Sequence, residues 1–314
     1  MKPIVFAASN ISPLYQRALA QHYEVLGPMP VADLMAHPAR GSIEVIVGSG
    51  ESKVPADMMD ALPALRLVSV MGVGYDGVNV AHAKQRGAMV THTPQVLNDD
   101  VADLAIALML NTTRRLPQAD RFVREGHWLK GAMPLAKKLS GLHLGLVGMG
   151  RIGQAIAHRA QAFNMPVSYT ARSAKPELAY NFVADVKSLA AQVDVLCLIT
   201  PGGASTHHMI NAEVLQALGP EGYLVNVARG SVVDEQALVA ALQAGQIAGA
   251  GLDVFEDEPR PLEALLAMDQ VVLTPHVGSG THQTRQAMAD LASDNVNLYF
   301  AKSDVKTPVP ECQM

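Results

Sequence analysis

Short apolar runs alternate with stretches of helical spacing along almost the whole chain. In the first hundred residues the runs fall at 4–7, 45–47, 67–70 and 88–91, with helical spacing at 13–22 and 56–62. From residue 142 the alternation resumes, with runs at 144–147, 167–169, 195–199, 223–226, 250–253 and 271–274. Such alternation predicts βα units and mainly parallel sheets, and the six later strands fit one doubly wound unit. Between the two sets, VADLAIALMLNTTRR at 101–115 reads as a helix with N-cap candidates in Asn98, Asp99 and Asp100. Its acidic start and basic end suit the helix macrodipole, and an apolar character on most faces predicts burial, with a place between two domains. A long helix is expected at 281–300, followed by a short proline-containing tail returning to the first domain.

Composition narrows the class. A length of 314 residues suggests about two domains, and 49% hydrophobic with 17% charged residues is globular. A formal charge of −5 provides no overall attraction to nucleic acid or to an anionic membrane. The N-terminus lacks a secretory h-region, and no stretch reaches the roughly 18 uninterrupted apolar residues of a membrane span. Cys197 and Cys312 form neither a disulfide framework nor a metal-ligand spacing. The expectation is a soluble, cytoplasmic protein without a metal.

Candidate chemistry begins at LGLVGMGRIGQAIAHRAQAF, which places Gly148, Gly150 and Gly153 between a predicted strand and a helix. There the first glycine allows a tight turn, the second a close approach of backbone to a pyrophosphate, and the third close helix–strand packing. The helix N-terminus adds unpaired N–H groups and partial positive charge. Dinucleotide binding is implied. An Asp or Glu about 20 residues beyond such a loop accepts the ribose 2′-OH of NADH, but here the second strand runs into Arg172, Ser173 and Lys175, and the first carboxylate is Glu177 beyond a proline. A guanidinium fork, a hydroxyl and an ammonium suit a 2′-phosphate, so NADPH is expected over NADH.

Three polar residues follow later strands. Arg229 stands where YLVNVARG leaves an apolar run, and a cation there needs an anionic partner, which a substrate carboxylate can supply. His276, one of 11 histidines, precedes a turn of small residues, and an imidazole, which ordinarily titrates near neutrality, suits proton donation to a developing alkoxide. Glu256, Asp257 and Glu258 form an acidic run, any of which could support the imidazole. Carboxyl ends of strands in an open sheet share one crevice, so these groups can meet a ligand held there.

Together these segments resemble the D-isomer-specific 2-hydroxyacid dehydrogenases, in particular the glyoxylate/hydroxypyruvate reductases. The resemblance is carried over nearly the whole chain by VGYDGVN (73–79), TPQVLNDDVADLAIALML (93–110), GLVGMGRIG (145–153), NVARGSVVDEQAL (226–238), GAGLDVFEDEP (249–259) and TPHVGSGTHQTR (274–285). It implies a doubly wound, Rossmann-type nucleotide domain at 98–286 inserted in a smaller flavodoxin-like α/β substrate domain formed by 1–97 and 287–314. By the same resemblance Arg229 binds substrate carboxylate and carbonyl, His276 donates the proton and Glu258 supports the imidazole. The N–H groups of Val73 and Gly74 bind the carboxylate from the smaller domain, across a cleft whose closure excludes water. Further cofactor contacts are implied at Arg151, Ile152, Thr200, Pro201, Thr206, Val227, Ala228, Asp253 and Gly278, with Asp253 on the nicotinamide amide.

The activity implied is NADPH-dependent reduction of glyoxylate or hydroxypyruvate to the D-2-hydroxy acid. An aryl-pyruvate reductase is the alternative within the class, and a dinucleotide-sensing corepressor the alternative outside it. A homodimer is implied, with 101–115 and GHWLKG at the interface. Trp128, the sole tryptophan, is either a partner-pocket residue, an interface anchor or a core residue.

Overall fold

The computed structural model describes residues 2–313, which divide into two compact units, 2–97 with 281–313 and 98–280. In the first, strands β1 (Ile4–Ala7), β2 (Glu24–Leu26), β3 (Val45–Ser49), β4 (Leu67–Met71) and β5 (Met89–Thr91) form a parallel sheet in the order β2-β1-β3-β4-β5. This is the flavodoxin-like order. Its interior is built from Phe6, Ile46, Val68 and Val90 with the helical residues Leu34 and Met59 and with Leu62, just past the helix Ala56–Asp60.

The second unit holds β6 (Leu144–Val147), β7 (Val167–Thr170), β8 (Asn181–Phe182), β9 (Val195–Leu198), β10 (Tyr223–Asn226), β11 (Gly249–Leu252) and β12 (Val271–Leu273), all parallel, in the order β12-β11-β10-β9-β6-β7-β8. Reading outward, β6, β7 and β8 run one way and β9 to β12 the other, which is the doubly wound Rossmann arrangement with a seventh strand. The order reverses between β6 and β9. All four residues of each of these strands are buried, as a parallel sheet covered on both faces requires.

The expected strands are present and two more appear, β2 and β8. Both are sheet edges, two or three residues long, and neither contains a buried residue. Short, solvated edges leave no apolar run in the sequence. The helix expected at 101–115 spans Asn98–Arg114, so Asn98, Asp99 and Asp100 lie in its first turn rather than capping it. It packs on the helix Arg151–Gln161, where Arg159 bonds Asp99 at 2.9 Å and Asp103 at 2.5 Å.

The long C-terminal helix is His282–Lys302, capped by the Thr281 hydroxyl on Thr284 N–H. It is held to the first unit by hydrogen bonds from Tyr15 Oη to Ser69 Oγ and from Ser69 Oγ to the Ala292 carbonyl. The crossing from second to first unit therefore falls at 280/281. After the helix, Pro308 bridges Thr91 and Val309 N–H donates to Val90, so the tail lies beside β5. No helix of the described residues is long and apolar enough to cross a membrane, and Cys197 and Cys312 are both free thiols.

Candidate active site

The glycine turn after β6 has the geometry its spacing calls for. Gly148 adopts φ +109°, a conformation that L side chains rarely adopt, and a Cβ there would stand 2.6 Å from the Ile199 carbonyl oxygen. A Cβ on Gly153 would stand 2.4 Å from the Gly148 carbonyl oxygen, so the helix starts against the turn itself. Around Gly150, by contrast, nothing lies within 4 Å of a built Cβ. As N-cap of Arg151–Gln161, Gly150 has no side chain to cover the first-turn N–H groups, leaving an open cradle for phosphate. Arg151 and Ile152 open that helix. Past the end of β7, Arg172 and Ser173 are exposed and Lys175 is half-buried, its N–H donating to Tyr169 Oη at 2.7 Å. The donor set fits a dinucleotide bearing a 2′-phosphate.

Thr200, Pro201 and Thr206 occupy the loop after β9, where Thr206 Oγ1 donates to the Pro201 carbonyl at 2.8 Å. Val227, Ala228 and Arg229 follow β10. This segment is shaped by Asn226, which is 1% exposed: its Oδ1 accepts from Ala228 N–H and its Nδ2 donates to the Arg229 carbonyl, each at 3.0 Å. Arg229 is half-buried and its Nη1 donates to the Ala228 carbonyl at 2.7 Å.

The acidic run after β11 is sorted by its partners. Glu256 bonds His208 Nε2, Asp257 accepts from Arg260 Nε at 2.9 Å, and Glu258 Oε2 meets His276 Nδ1 at 2.7 Å. Glu258 Oε1 also accepts from Phe255 N–H at 2.9 Å, so both carboxylate oxygens are committed in direction. Burial pushes the Glu258 carboxyl up, but the hydrogen bonds from His276 and Phe255 and the charges of His276 and Arg229 outweigh it and hold it below the ordinary range.

His276 sits at φ +51°, a left-handed conformation that costs a non-glycine residue about 1 kcal/mol or more. The bend is imposed by Asp253, which is 2% exposed. Its Oδ1 accepts from Thr274 Oγ1 at 2.6 Å and from Val277 N–H at 2.8 Å, and its Oδ2 accepts from Gly278 N–H at 2.8 Å. His276 N–H donates to the Asp253 carbonyl at 2.9 Å. Burial raises the Asp253 carboxyl against the opposing effect of these bonds.

Arg229, Glu258 and His276 thus follow the neighbouring strands β10, β11 and β12 at one edge of the sheet, and Glu258 and His276 are in direct contact. Val73 and Gly74 lie in the first unit, after β4, where the Val73 carbonyl is 3.0 Å from His92 Nδ1. Trp128 is 67% exposed in the chain and is not a core residue. The anchoring parts of Asn226 and Asp253 escape a sequence reading. The one available signal is a lone polar residue closing an apolar strand, as in YLVN.

The sequence model of the D-isomer specific 2-hydroxyacid dehydrogenase NAD binding domain matches residues 106–278. The chain is 47% identical over 268 residues to the hydroxyphenylpyruvate reductase of Plectranthus scutellarioides, covering 85% of this chain and 86% of that one. It is 44% identical over 280 residues to the glyoxylate/hydroxypyruvate reductase A HPR2 of Arabidopsis thaliana, covering 89% and 90%. Among solved structures, it superimposes with a TM-score of 0.94 and 45% identity on an NADPH-dependent glyoxylate/hydroxypyruvate reductase from Sinorhizobium meliloti in complex with NADP and malonate, over 99% of this chain and 98% of that one. With an open glycine turn at the switch point and a carboxylate-supported histidine past the carboxyl end of β12 in the same sheet, the chain belongs to the D-isomer specific 2-hydroxyacid dehydrogenase family.

Proposed function

We propose that the protein reduces a small 2-keto acid, glyoxylate or hydroxypyruvate, to the D-2-hydroxy acid with NADPH. The observation that carries this reading is the 2.7 Å contact between Glu258 and His276, one strand away from Arg229. Gly150, Arg151 and Ile152 would hold the pyrophosphate, and Arg172, Ser173 and Lys175 the 2′-phosphate. Thr200, Pro201, Thr206, Val227, Ala228, Asp253 and Gly278 complete the proposed cofactor contacts. When bound, the cofactor supplies the hydride.

The chain's own residues do the rest. Arg229 pairs with the substrate carboxylate and draws charge toward the carbonyl oxygen. As that oxygen becomes an alkoxide, the protonated His276 gives it a proton from Nε2, because Nδ1 is turned to Glu258. Glu258, ionised throughout the neutral range, stabilises the imidazolium before transfer and fixes the ring's orientation. A cytoplasmic setting with a reduced NADPH pool favours this direction.

Steady-state oxidation of NADPH at 340 nm with glyoxylate, hydroxypyruvate and phenylpyruvate tests the reading. One of the first two should be preferred, NADPH should outperform NADH, and His276→Ala should lower kcat by roughly 10²–10⁴-fold. Full activity in His276→Ala would remove the assignment. The 47% identical hydroxyphenylpyruvate reductase favours a second reading, an aryl-pyruvate reductase, which a preference for phenylpyruvate would select.

A homodimer belongs to the same proposal. Val123, Trp128, Leu129 and Leu135 are 55%, 67%, 94% and 99% exposed, an apolar surface that a second copy would cover.

A further inference from the structure

Glu235 is the first residue of the helix Glu235–Gln243 and is 4% exposed, an unusual place for a carboxylate with no cationic partner in contact among the described residues. Its Oε1 accepts from Glu256 N–H at 2.8 Å. The next N–H back along the chain, that of Phe255, is taken by Glu258 Oε1 at 2.9 Å. The peptide between Phe255 and Glu256 is also covered on one side by Gly230. A Cβ on Gly230 would stand 1.8 Å from the Phe255 carbonyl carbon, 2.0 Å from its oxygen and 2.3 Å from Glu256 N. No side chain fits there, so the residue after Arg229 rests directly on the backbone that presents Glu258.

We propose that Gly230 and Glu235 brace the Phe255–Glu256 peptide and thereby set Glu258, and through it His276, relative to Arg229, which makes Glu235 a positioning residue for proton donation. This rests on the reductase reading above. The charge is a cost that the brace bears. Burial raises the Glu235 carboxyl, the Glu256 N–H bond opposes this, and the charges of Glu256, Glu258 and Asp257 raise it further. A neutral acceptor in the same place keeps the bond and sheds that cost.

Glu235→Gln retains an amide oxygen for Glu256 N–H, whereas Glu235→Ala removes the acceptor. The test compares both with wild type and with His276→Ala, in kcat and KM for hydroxypyruvate and in the NADPH dissociation constant. Amide hydrogen exchange across residues 254–259 and 274–278 is followed in parallel. The expected result is a kcat lowered about 10-fold in Glu235→Ala, with NADPH affinity within about twofold of wild type and faster exchange in both segments, and a Glu235→Gln that retains at least half of wild-type kcat and normal protection. Wild-type kcat in a folded Glu235→Ala would overturn the inference, as would a Glu235→Gln as impaired as Glu235→Ala. If the wild type turns over no 2-keto acid, the reductase reading fails on its own, and the exchange comparison alone decides the brace: unchanged protection in Glu235→Ala rejects it.

Discussion

Glu258 is buried enough that its surroundings oppose its charge, yet the hydrogen bonds of His276 and Phe255 keep it ionised below the ordinary glutamate range. A carboxyl depressed in this way contributes stability above its unfolded value of about 4.5 and loses it as pH falls through the lower folded value. Throughout the neutral range, therefore, the imidazole faces a full negative charge. Glu258→Gln removes that charge while preserving size and an acceptor. Reductive kcat should fall by roughly 10-fold or more, and its decline at alkaline pH should begin at a lower pH, because the protonated imidazole loses its counter-charge. Within the second unit the charge of Arg229 also lowers the Glu258 carboxyl, and the charge of His276 acts on Asp253 as well. A kcat–pH profile in Glu258→Gln superimposable on that of wild type would refute the role given to the carboxylate.

Among elements, the strand–turn–helix from β6 into Arg151–Gln161 separates packing from the proposed phosphate binding within three glycines. Gly153→Ala pushes a methyl to 2.4 Å from the Gly148 carbonyl oxygen and should cost about 1–3 kcal/mol, read as a melting temperature lower by several degrees. Gly150→Ala meets no protein atom within 4 Å, so the melting temperature should stay within about 1 °C, while NADPH affinity falls about 10-fold where the methyl meets the pyrophosphate. Equal NADPH affinity in wild type and Gly150→Ala, measured by titration calorimetry, would argue against phosphate at this turn. These glycines were legible from local spacing, as were the buried strands, whose runs of Val, Ile and Leu reflect burial of both faces. The edges β2 and β8 were not, because nothing in Glu24–Leu26 or Asn181–Phe182 needs burying. Nor was the support of the site. Asp253 reaches Val277 across 24 positions and Glu235 reaches Glu256 across 21, and such pairings exist only once the sheet has brought its strand ends together. The acidic run shows the same limit. Residue type left Glu256, Asp257 and Glu258 equivalent; the family resemblance pointed to Glu258, and their partners His208, Arg260 and His276 give the physical distinction.

For the molecule as a whole, the proposed dimer rests on surface that folding leaves uncovered. The helix Leu116–Arg124 has no buried residue, and beyond it Leu129 and Leu135 are almost fully exposed beside Trp128. Ala119, Phe122, Val123, Trp128 and Met133 line a shallow, mainly apolar hollow in the same stretch. Isolated exposed apolar residues are ordinary, but this many within some twenty positions describe a patch of the kind buried in obligate interfaces. A second copy is the occupant that the family resemblance implies. The predicted species in multi-angle light scattering is therefore a dimer, about twice the 33.3 kDa of one chain. Leu129→Asp combined with Leu135→Asp places charge at two positions that make no core contact within the chain. The variant should remain folded by circular dichroism and shift toward monomer at micromolar concentration. Because Arg229, Glu258 and His276 all belong to the second unit of one chain, the monomeric variant should retain Glu258–His276 pairing and dinucleotide binding. A wild type that elutes as a monomer at every concentration, or a dimer indifferent to both aspartates, would show that the exposed segment serves another purpose.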